Sequence, residues 1–484
     1  MSKPDSHIEG VYGPEGARQA NRRTDSTRIG RRDFLIALAS ATAAGCAGVH
    51  RAAPWTSSGV RPNILLIFVD DLGYADLGCQ GAGDLKTPYI DSLARTGIRF
   101  TSGYVTAPLC SPSRAALMTG RYQQRFGHEY NTGNIQRQQT EDIGLPLSQA
   151  TLADALKNHG YATGVIGKWH LGAQDKFHPQ RRGFDEFFGF LGGGHSYFEW
   201  DDSRRTPILR GIEIVRGDEY LTDAFSREAV DFVHRHKDRP FFLYLSYNAV
   251  HTPMQAPQEY LDRFPGIPDP TRRTMAAMLS ALDDGVGRVL QALQEDGTEK
   301  DTLIFCISDN GGTAGPNASV NQPLRSGKGH MYEGGIRVPF IVRWPRMLPA
   351  GIVVDSPVST LDVFPTAFAA AGGALDECSS LDGVDLSPYL KGDVMPPPHQ
   401  SLFWRMGANS AARKGDWKLV KAAPGKPELY DLSADIAEAH DVAQARPDIL
   451  RELEGEYSRW NAANVEPAWH VLRLSGAGAR GTAR

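Results

Sequence analysis

Cysteine is scarce in this chain and shows no pairing pattern. Cys46, Cys79, Cys110, Cys306 and Cys378 are the five in 484 residues, and no two form a C-x-x-C pair. An odd, scattered set excludes a disulfide framework and a zinc ribbon, so each cysteine has to be explained singly. A surplus of positive charge is missing as well. Lys and Arg number 52 against 56 Asp and Glu, a formal net charge of −4. That balance leaves no basic footprint for a nucleic-acid partner. No apolar run reaches the ~20 residues a helix needs to span a bilayer, and no internal repeat is evident. Apolar side chains, by contrast, are plentiful at 41%. Over this length they suffice for a large buried core in one domain or two.

The first segment reads as an address. In TRIGRRDFLIALASATAAGCAGVH, Arg31 and Arg32 follow a long polar stretch and precede a short apolar run from Phe34 to Ala44. Such flanks predict an export leader of the twin-arginine type, hence a periplasmic or cell-surface protein. AAGC, ending at Cys46, is similar to a bacterial lipobox, which would lipidate Cys46 and supply the membrane attachment. Ala43 stands where such boxes usually carry leucine, so ordinary cleavage is the alternative. Residues 1–58 are therefore set apart from the fold.

From Asn63 onward, four continuous apolar stretches each end in polar residues. NILLIFVDD ends at Asp70 and Asp71, GYATGVIGKWH at Lys168 and His170, PFFLYLSYNAVH at His251, and DTLIFCISDN at Asp309 and Asn310. Stretches of this kind predict strands buried on both faces. Helical patterns lie between them: TPYIDSLARTG, SQATLADALKNHG, SREAVDFVHRHK and a longer one from Thr274 to Glu295. The alternation predicts an α/β fold, a large mostly parallel sheet sandwiched by helices, with reactive groups beyond the carboxyl ends of the strands. After a further helix in TLDVFPTAFAAAGG, a proline-rich connection leads to short strands in SLFWRM, ARKGDWKLVKA and PELYDL and a last helix from Pro447 to about Asn461. This predicts a catalytic domain over 59–395, a small C-terminal domain with an antiparallel sheet over 396–470, and a disordered tail over 471–484.

The chemistry concentrates at those strand ends. Asp70 and Asp71 by themselves could simply cap a turn. Together with Asp309 and Asn310 they form an all-oxygen set whose mutual repulsion calls for a cation, and hard oxygens favour Ca²⁺ or Mg²⁺ over Zn²⁺. In PLCSPSRAALMTG, Pro112 suits the first turn of a helix, so Cys110 sits at or just before its N-terminus, where backbone N–H groups favour anions. Arg114, four residues on, returns to the same face. A side chain at position 110 thus faces a helix dipole, a guanidinium and, through the sheet, the cation. Other residues have plainer readings. His159, His178 and His234 are expected at the surface or in caps, and Cys79, Cys306 and Cys378 as small buried apolar groups. The Arg pairs at 181–182 and 272–273 are expected on solvated faces, with binding of an anionic polymer as the alternative. Trp169 either lines a substrate subsite or packs.

These motifs carry a resemblance. PLCSPSRAALMTG resembles the signature of the type I sulfatases with its C-x-P-S-R core intact, and GYATGVIGKWH resembles their second signature at the expected distance. With DD before and DNGG after, the likeness runs from Pro62 to Leu432, and it is to the arylsulfatase and N-acetylgalactosamine-6-sulfatase-like groups of the alkaline phosphatase superfamily. It implies an alkaline-phosphatase-like sheet and sulfate-ester hydrolysis. It also implies that Cys110 is oxidised to Cα-formylglycine by a formylglycine-generating enzyme. One hydroxyl of the aldehyde hydrate attacks sulfur, and the other, once deprotonated, expels sulfate and restores the aldehyde. The resemblance further implies that Asp70, Asp71, Asp309 and Asn310, with the residue at 110, hold Ca²⁺, with Mg²⁺ second. Arg114 would hold the hydrate, while Lys168 and Lys328 neutralise sulfate oxygens. His170 would act as base and His251 as acid on the leaving oxygen. His195 or Ser196 in GGGHSYF would contact substrate. Together with export, it implies sulfated carbohydrates or aryl sulfates as substrates. A phosphonate or phosphate ester hydrolase on the same scaffold is the alternative, although phosphoryl relatives more often place histidine beside the aspartate that Asn310 follows. An inactive carbohydrate-binding surface protein is the reading from another class.

Overall fold

The apolar stretches become one sheet whose two faces are both covered. The computed structural model describes residues 61–201, 205–378, 380–391 and 396–470. The leader with Arg31, Arg32 and Cys46, and the tail over 471–484, lie outside the described residues. In chain order the main sheet is formed by β1 (Asn63–Val69), β2 (Ile98–Tyr104), β3 (Ala162–Lys168), β4 (Glu186–Phe190), β5 (Leu209–Arg210), β6 (Glu213–Ile214), β7 (Phe241–Ser246), β8 (Thr302–Ser308), β9 (Arg337–Arg343), β10 (Ile352–Val354) and β11 (Val358–Ser359). Its spatial order is β10-β2-β9-β8-β1-β7-β3-β4-β5-β6, with β11 on β2.

The sheet is mixed. The inner block β8-β1-β7-β3-β4 is parallel throughout, which matches the expected alternation of strands and helices. β9 runs antiparallel to both β8 and β2, and the β5–β6 hairpin closes the far edge antiparallel. The reason for β9 lies in its connection. The chain leaves β8 at the carboxyl edge and returns from that same edge through the short helix Glu333–Ile336, with no helical crossover to bring it back to the opposite one.

Register brings the strand ends level. Phe68 of β1 pairs with Ser246 of β7, Val69 with Ser308 of β8, and Gly167 of β3 with Ser246. The segments that follow these strands therefore emerge side by side.

Side chains alternate along β1 between two cores. Ile64, Leu66 and Phe68 join one, and Leu65, Ile67 and Val69 the other, as the period of two in a strand requires. Helices Leu221–Arg235 and Pro270–Glu295 cover the second face. The long helix begins four residues before the expected Thr274, because the Asp269 side chain accepts the Arg272 N–H and Pro270 fits the first turn. The first face carries Cys110–Thr119, Leu152–Asn158 (capped reciprocally by Thr151 and Asp154) and Val363–Ala370.

Four strands, β12 (Ser401–Met406), β13 (Asn409–Lys414), β14 (Trp417–Lys421) and β15 (Glu428–Asp431), form a separate antiparallel sheet. One side of it packs under helix Pro447–Asn461 through Leu419, Leu429 and Leu453. Leu402, Trp404 and Val420 enter the first core of the main sheet. Among the described residues no helix is long and apolar enough to cross a membrane.

Candidate active site

Asp70 and Asp71 follow β1 directly, and Asp309 and Asn310 follow β8. All four are buried. Asp71 adopts a left-handed backbone, φ +60°, a conformation Asp tolerates better than most residues. Its carbonyl is held by Asn317 Nδ2 at 3.2 Å and Ser319 Oγ at 3.1 Å, and its N–H donates to Asp309 Oδ1 at 3.2 Å. Cys110 is the first residue of its helix, with Leu109 as N-cap. One ligand atom from each of Asp70, Asp71, Cys110 and Asp309 falls within 4.8 Å of the other three.

Three cations face three carboxylates here. Arg114 donates to Asp309 Oδ2 from Nη2 at 2.8 Å and Nε at 3.1 Å, and to Ser246 Oγ at 2.6 Å. Lys168 Nζ lies 2.5 Å from Asp70 Oδ2. Lys328 Nζ reaches Asp71 Oδ1 at 2.6 Å and Cys110 Sγ at 3.0 Å. Burial pushes Asp309 up, but Arg114, Lys168 and Lys328 outweigh it and hold the carboxyl well below the usual range. At Asp71 burial likewise opposes Lys328, and the net shift is downward. Asp70 is raised, by burial and then by the Asp309 charge. The same two causes push the Cys110 thiol up to about 12, so an unmodified cysteine here stays protonated and is a poor nucleophile.

Two histidines complete the cluster. His170 is pushed well below its ordinary value by burial and then by Lys168, Arg114 and Lys328, all of which favour the neutral ring. Its backbone is left-handed at φ +59°. Ser111 Oγ donates to its carbonyl at 2.7 Å and meets His128 Nε2 at 2.7 Å on its other side. His251 donates from Nδ1 to the Thr252 carbonyl at 2.7 Å, so Nε2, 3.8 Å from Asp71 Oδ2, faces the site. The turn Gly192–Gly194 lies over both rings. A side chain begun at Gly193 would stand 2.7 Å from His170 Nε2, and one at Gly194 would stand 3.4 Å from His251 Nδ1. Glycine is required here to let the backbone come this close.

The donor set suits a hard divalent cation. Four buried residues offer carboxylate or amide oxygens, and Asn310 Oδ1 is buried with no partner among the described residues. Its Nδ2 donates to Asp71 Oδ1 at 2.7 Å. An orphaned acceptor beside three carboxylates is what an oxygen-ligated cation relieves.

Asp70, Asp71, Cys110, Arg114, Lys168, His170, His251, Asp309, Asn310 and Lys328 thus converge. Three further residues are placed as follows. Trp169 takes the packing role of its two expected ones: it is fully buried, its indole N–H donates to the Phe177 carbonyl at 2.8 Å, and its ring packs edge-on against Phe184. Ser196 turns its Oγ into the local backbone, accepting the Glu199 N–H at 3.1 Å and donating to Gln255 at 3.2 Å. His195 is buried against Phe190, with Nδ1 2.8 Å from the Ser196 carbonyl.

The Arg pairs are not plain solvated faces. Arg182 is buried on the Leu145 and Gln149 carbonyls, and Arg272 on Asp76 and Asp84. Cys79 and Cys378 are half-buried, whereas Cys306 is buried. His159 and His234 lie 3.2 and 2.6 Å from carboxylate oxygens of Glu377 and Asp296, and His178 caps Pro179–Arg181. Ser246, Asn317, Ser319 and the Ser111–His128 pair went unnoticed in the sequence. Of these, only Ser246 carried a signal, as a polar residue ending an apolar strand.

Known proteins agree with this geometry. The sulfatase family profile matches residues 62–374. The chain is 34% identical to mouse (Mus musculus) steryl-sulfatase over 453 residues, covering 77% of this chain and 72% of that one. It is 35% identical to mouse N-acetylgalactosamine-6-sulfatase over 378 residues, covering 74% and 71%. Among solved structures, Ps i-CgsB in complex with k-i-k-neocarrahexaose superposes with a TM-score of 0.80 at 39% identity, covering 85% of this chain and 95% of that one. A phosphonate monoester hydrolase, SpPMH from Silicibacter pomeroyi, shares the fold at a TM-score of 0.64 and 20% identity, covering 84% and 96%. With its signature cysteine, buried carboxylates, lysines and histidines gathered at one sheet edge, the chain belongs to the sulfatase family, the sulfuric ester hydrolases of the alkaline phosphatase superfamily.

Proposed function

We propose that this sulfatase acts on sulfated carbohydrates, that Cys110 is matured to formylglycine by a formylglycine-generating enzyme, and that Ca²⁺ is its metal. The observation that carries the reading is the convergence on position 110 of Asp70, Asp71, Asp309, Arg114, Lys168 and Lys328, with a neutral His170 beside them.

Formylglycine at position 110 would supply, as its hydrate, a nucleophilic hydroxyl and a second hydroxyl able to release the bound group, while Asp70, Asp71, Asp309 and Asn310 would hold Ca²⁺, which would supply positive charge to the site. The chain's own side chains do the rest. Lys168 and Lys328 oppose the negative charge that builds on the sulfate, a preorganised contribution that is usually the largest in such catalysis. Arg114, buried and anchored on Asp309 and Ser246, orients the group at 110. His170 takes a proton from that group. His251, its Nδ1 committed to the Thr252 carbonyl, presents Nε2 to the leaving oxygen and delivers a proton there.

The Arg31–Arg32 pair and the apolar run after it support export of the protein. Sequencing the amino terminus of protein recovered from native cells separates cleavage from lipidation at Cys46.

The test is sulfate release by matured, Ca²⁺-supplied protein from sulfated sugars, an aryl sulfate and an aryl phosphonate control, with mass spectrometry of the peptide around Cys110. Release from the sugars together with an aldehyde at 110 supports the reading. Turnover of the phosphonate alone, or an untouched thiol in active protein, refutes it.

A further inference from the structure

Arg205 lies on the leaving-group side of the site. A side chain begun at Gly194 would have His251 Nδ1 at 3.4 Å and Arg205 Nη1 at 3.7 Å, so imidazole and guanidinium flank one point above the glycine turn. Arg205 is exposed, yet its placement is set by its neighbour. Thr206 is buried, and its Oγ1 accepts the Gly192 N–H at 2.9 Å, tying this segment to the turn. Arg205 already interacts with other groups of the chain. A guanidinium has five N–H donors in a planar fork, which leaves capacity for an incoming anion.

The reacting sulfate has counter-charges of its own. Lys168 and Lys328 press on Asp70 and Asp71 around Cys110, and Arg114 is anchored on Asp309. None of these ion pairs involves Arg205. It stands beside His251, the residue that protonates the departing alcohol, and so beside the portion of substrate that leaves. An anionic group on that portion would meet the guanidinium, whereas a substrate whose single anionic group is the ester being cleaved would not.

We infer that Arg205 forms a subsite for a second anionic group, a sulfate or a carboxylate, carried by the alcohol portion of the substrate. The substrate class is then a polyanionic glycan rather than a singly sulfated alcohol. This inference rests on the sulfatase reading above and narrows its substrate.

The test measures inhibition of 4-nitrocatechol sulfate hydrolysis by galactose 6-sulfate, by galactose 4,6-disulfate, and by a monosulfated disaccharide carrying a uronate. The ratio of inhibition constants is the readout, so a general loss of activity cancels. One added charge-assisted contact is expected to favour the doubly anionic sugar by about tenfold. Comparison of the disulfate with the uronate separates sulfate from carboxylate as the second group. In R205Q the ratio falls to within about twofold, R205K keeps part of it, and R446Q, which removes the same charge at a distant surface, keeps all of it. Added salt shrinks the wild-type ratio. Equal inhibition by mono- and dianionic sugars in the wild type, or a ratio that survives in R205Q, overturns the inference. Failure of matured protein to release sulfate from any ester refutes the sulfatase reading instead. Calorimetric titration with the same three sugars then reads the same ratio without turnover, and its loss or persistence in R205Q decides the subsite alone.

Discussion

Arg114 and Asp309 form an ion pair with both side chains completely out of solvent, two N–H groups of one converging on a single oxygen of the other. Replacing Arg114 with alanine leaves the Asp309 carboxylate buried, with Asp70 as a like-charged neighbour, no bound guanidinium, and the charges of Lys168 and Lys328 as the remaining compensation. Removing one member of a buried pair typically costs about 3–5 kcal/mol, because the stranded charge keeps its desolvation penalty. No solvent-screening discount applies, since neither side chain is exposed. R114A is therefore expected to lose about 3–5 kcal/mol in chelator-treated protein. D309N alone is expected to lose less, because Asp70 Oδ2 at 3.8 Å and Ser246 Oγ at 2.6 Å still face the Arg114 guanidinium. The double variant should lose less than the sum by about 2 kcal/mol or more, the signature of two groups acting as a unit. Urea unfolding followed by circular dichroism gives all three values. Additive losses, or an R114A cost below about 1 kcal/mol, would refute the account, because a solvated or differently paired Asp309 behaves that way.

Three further expectations follow from the same geometry. Gly193→Ala puts a methyl 2.7 Å from His170 Nε2, so the ring must give way by about 1 Å, and a misplacement of that size costs about 100-fold in kcat/KM; a loss under threefold on an aryl sulfate would contradict the placement of the glycine turn. Burial pushes His399 down, but Asp362, whose oxygens lie 2.8 and 2.9 Å from Nε2, outweighs it and raises the imidazolium's pKa. A raised folded-state value means stability fully present below the unfolded pKa of about 6.5 and lost as pH rises through the folded one. The stability gap between wild type and H399Q should therefore shrink as pH rises above about 6.5 in urea titrations, and a gap that widens would reverse the assignment. Ca²⁺ at about 100 times its Kd should stabilise chelated protein by about 2.7 kcal/mol and restore turnover; an unchanged Tm would mean that the carboxylates hold no such ion.

Much of the site was legible because its residues sit where local pattern changes. Asp70, Lys168 and Asp309 end apolar runs, and a polar residue closing a buried strand is visible without any neighbour. Cys110 and Arg114 belong to one helix turn with Pro112, so their common face follows from helix geometry. His251 closes the apolar stretch PFFLYLSYNAVH in the same way, whereas Lys328 had no such local signal and the family motif alone singled it out. Trp169 shows what local pattern leaves ambiguous. It lies between Lys168 and His170, and alternation along an extended strand already favours the opposite face, the one that enters the core. The Arg pairs failed for a different reason. Which member of 181–182 or 272–273 is buried depends on carbonyls and carboxylates far along the chain, such as Asp84, 188 residues from Arg272.

The sequence by itself determined the main elements and the oxygen-rich strand ends, because these depend on side-chain chemistry and on spacings within a few residues; the reacting role expected of Cys110 came from the resemblance to the sulfatases. Only the tertiary structure decided that Asp71 meets Asp309 across 238 residues of chain, that β9 runs antiparallel, and that the glycine turn lies against His170 at Gly193 and against His251 and Arg205 at Gly194. Those outcomes follow from strand register and from close packing of distant segments, and no window of sequence short enough to read locally contains both sides of such a contact.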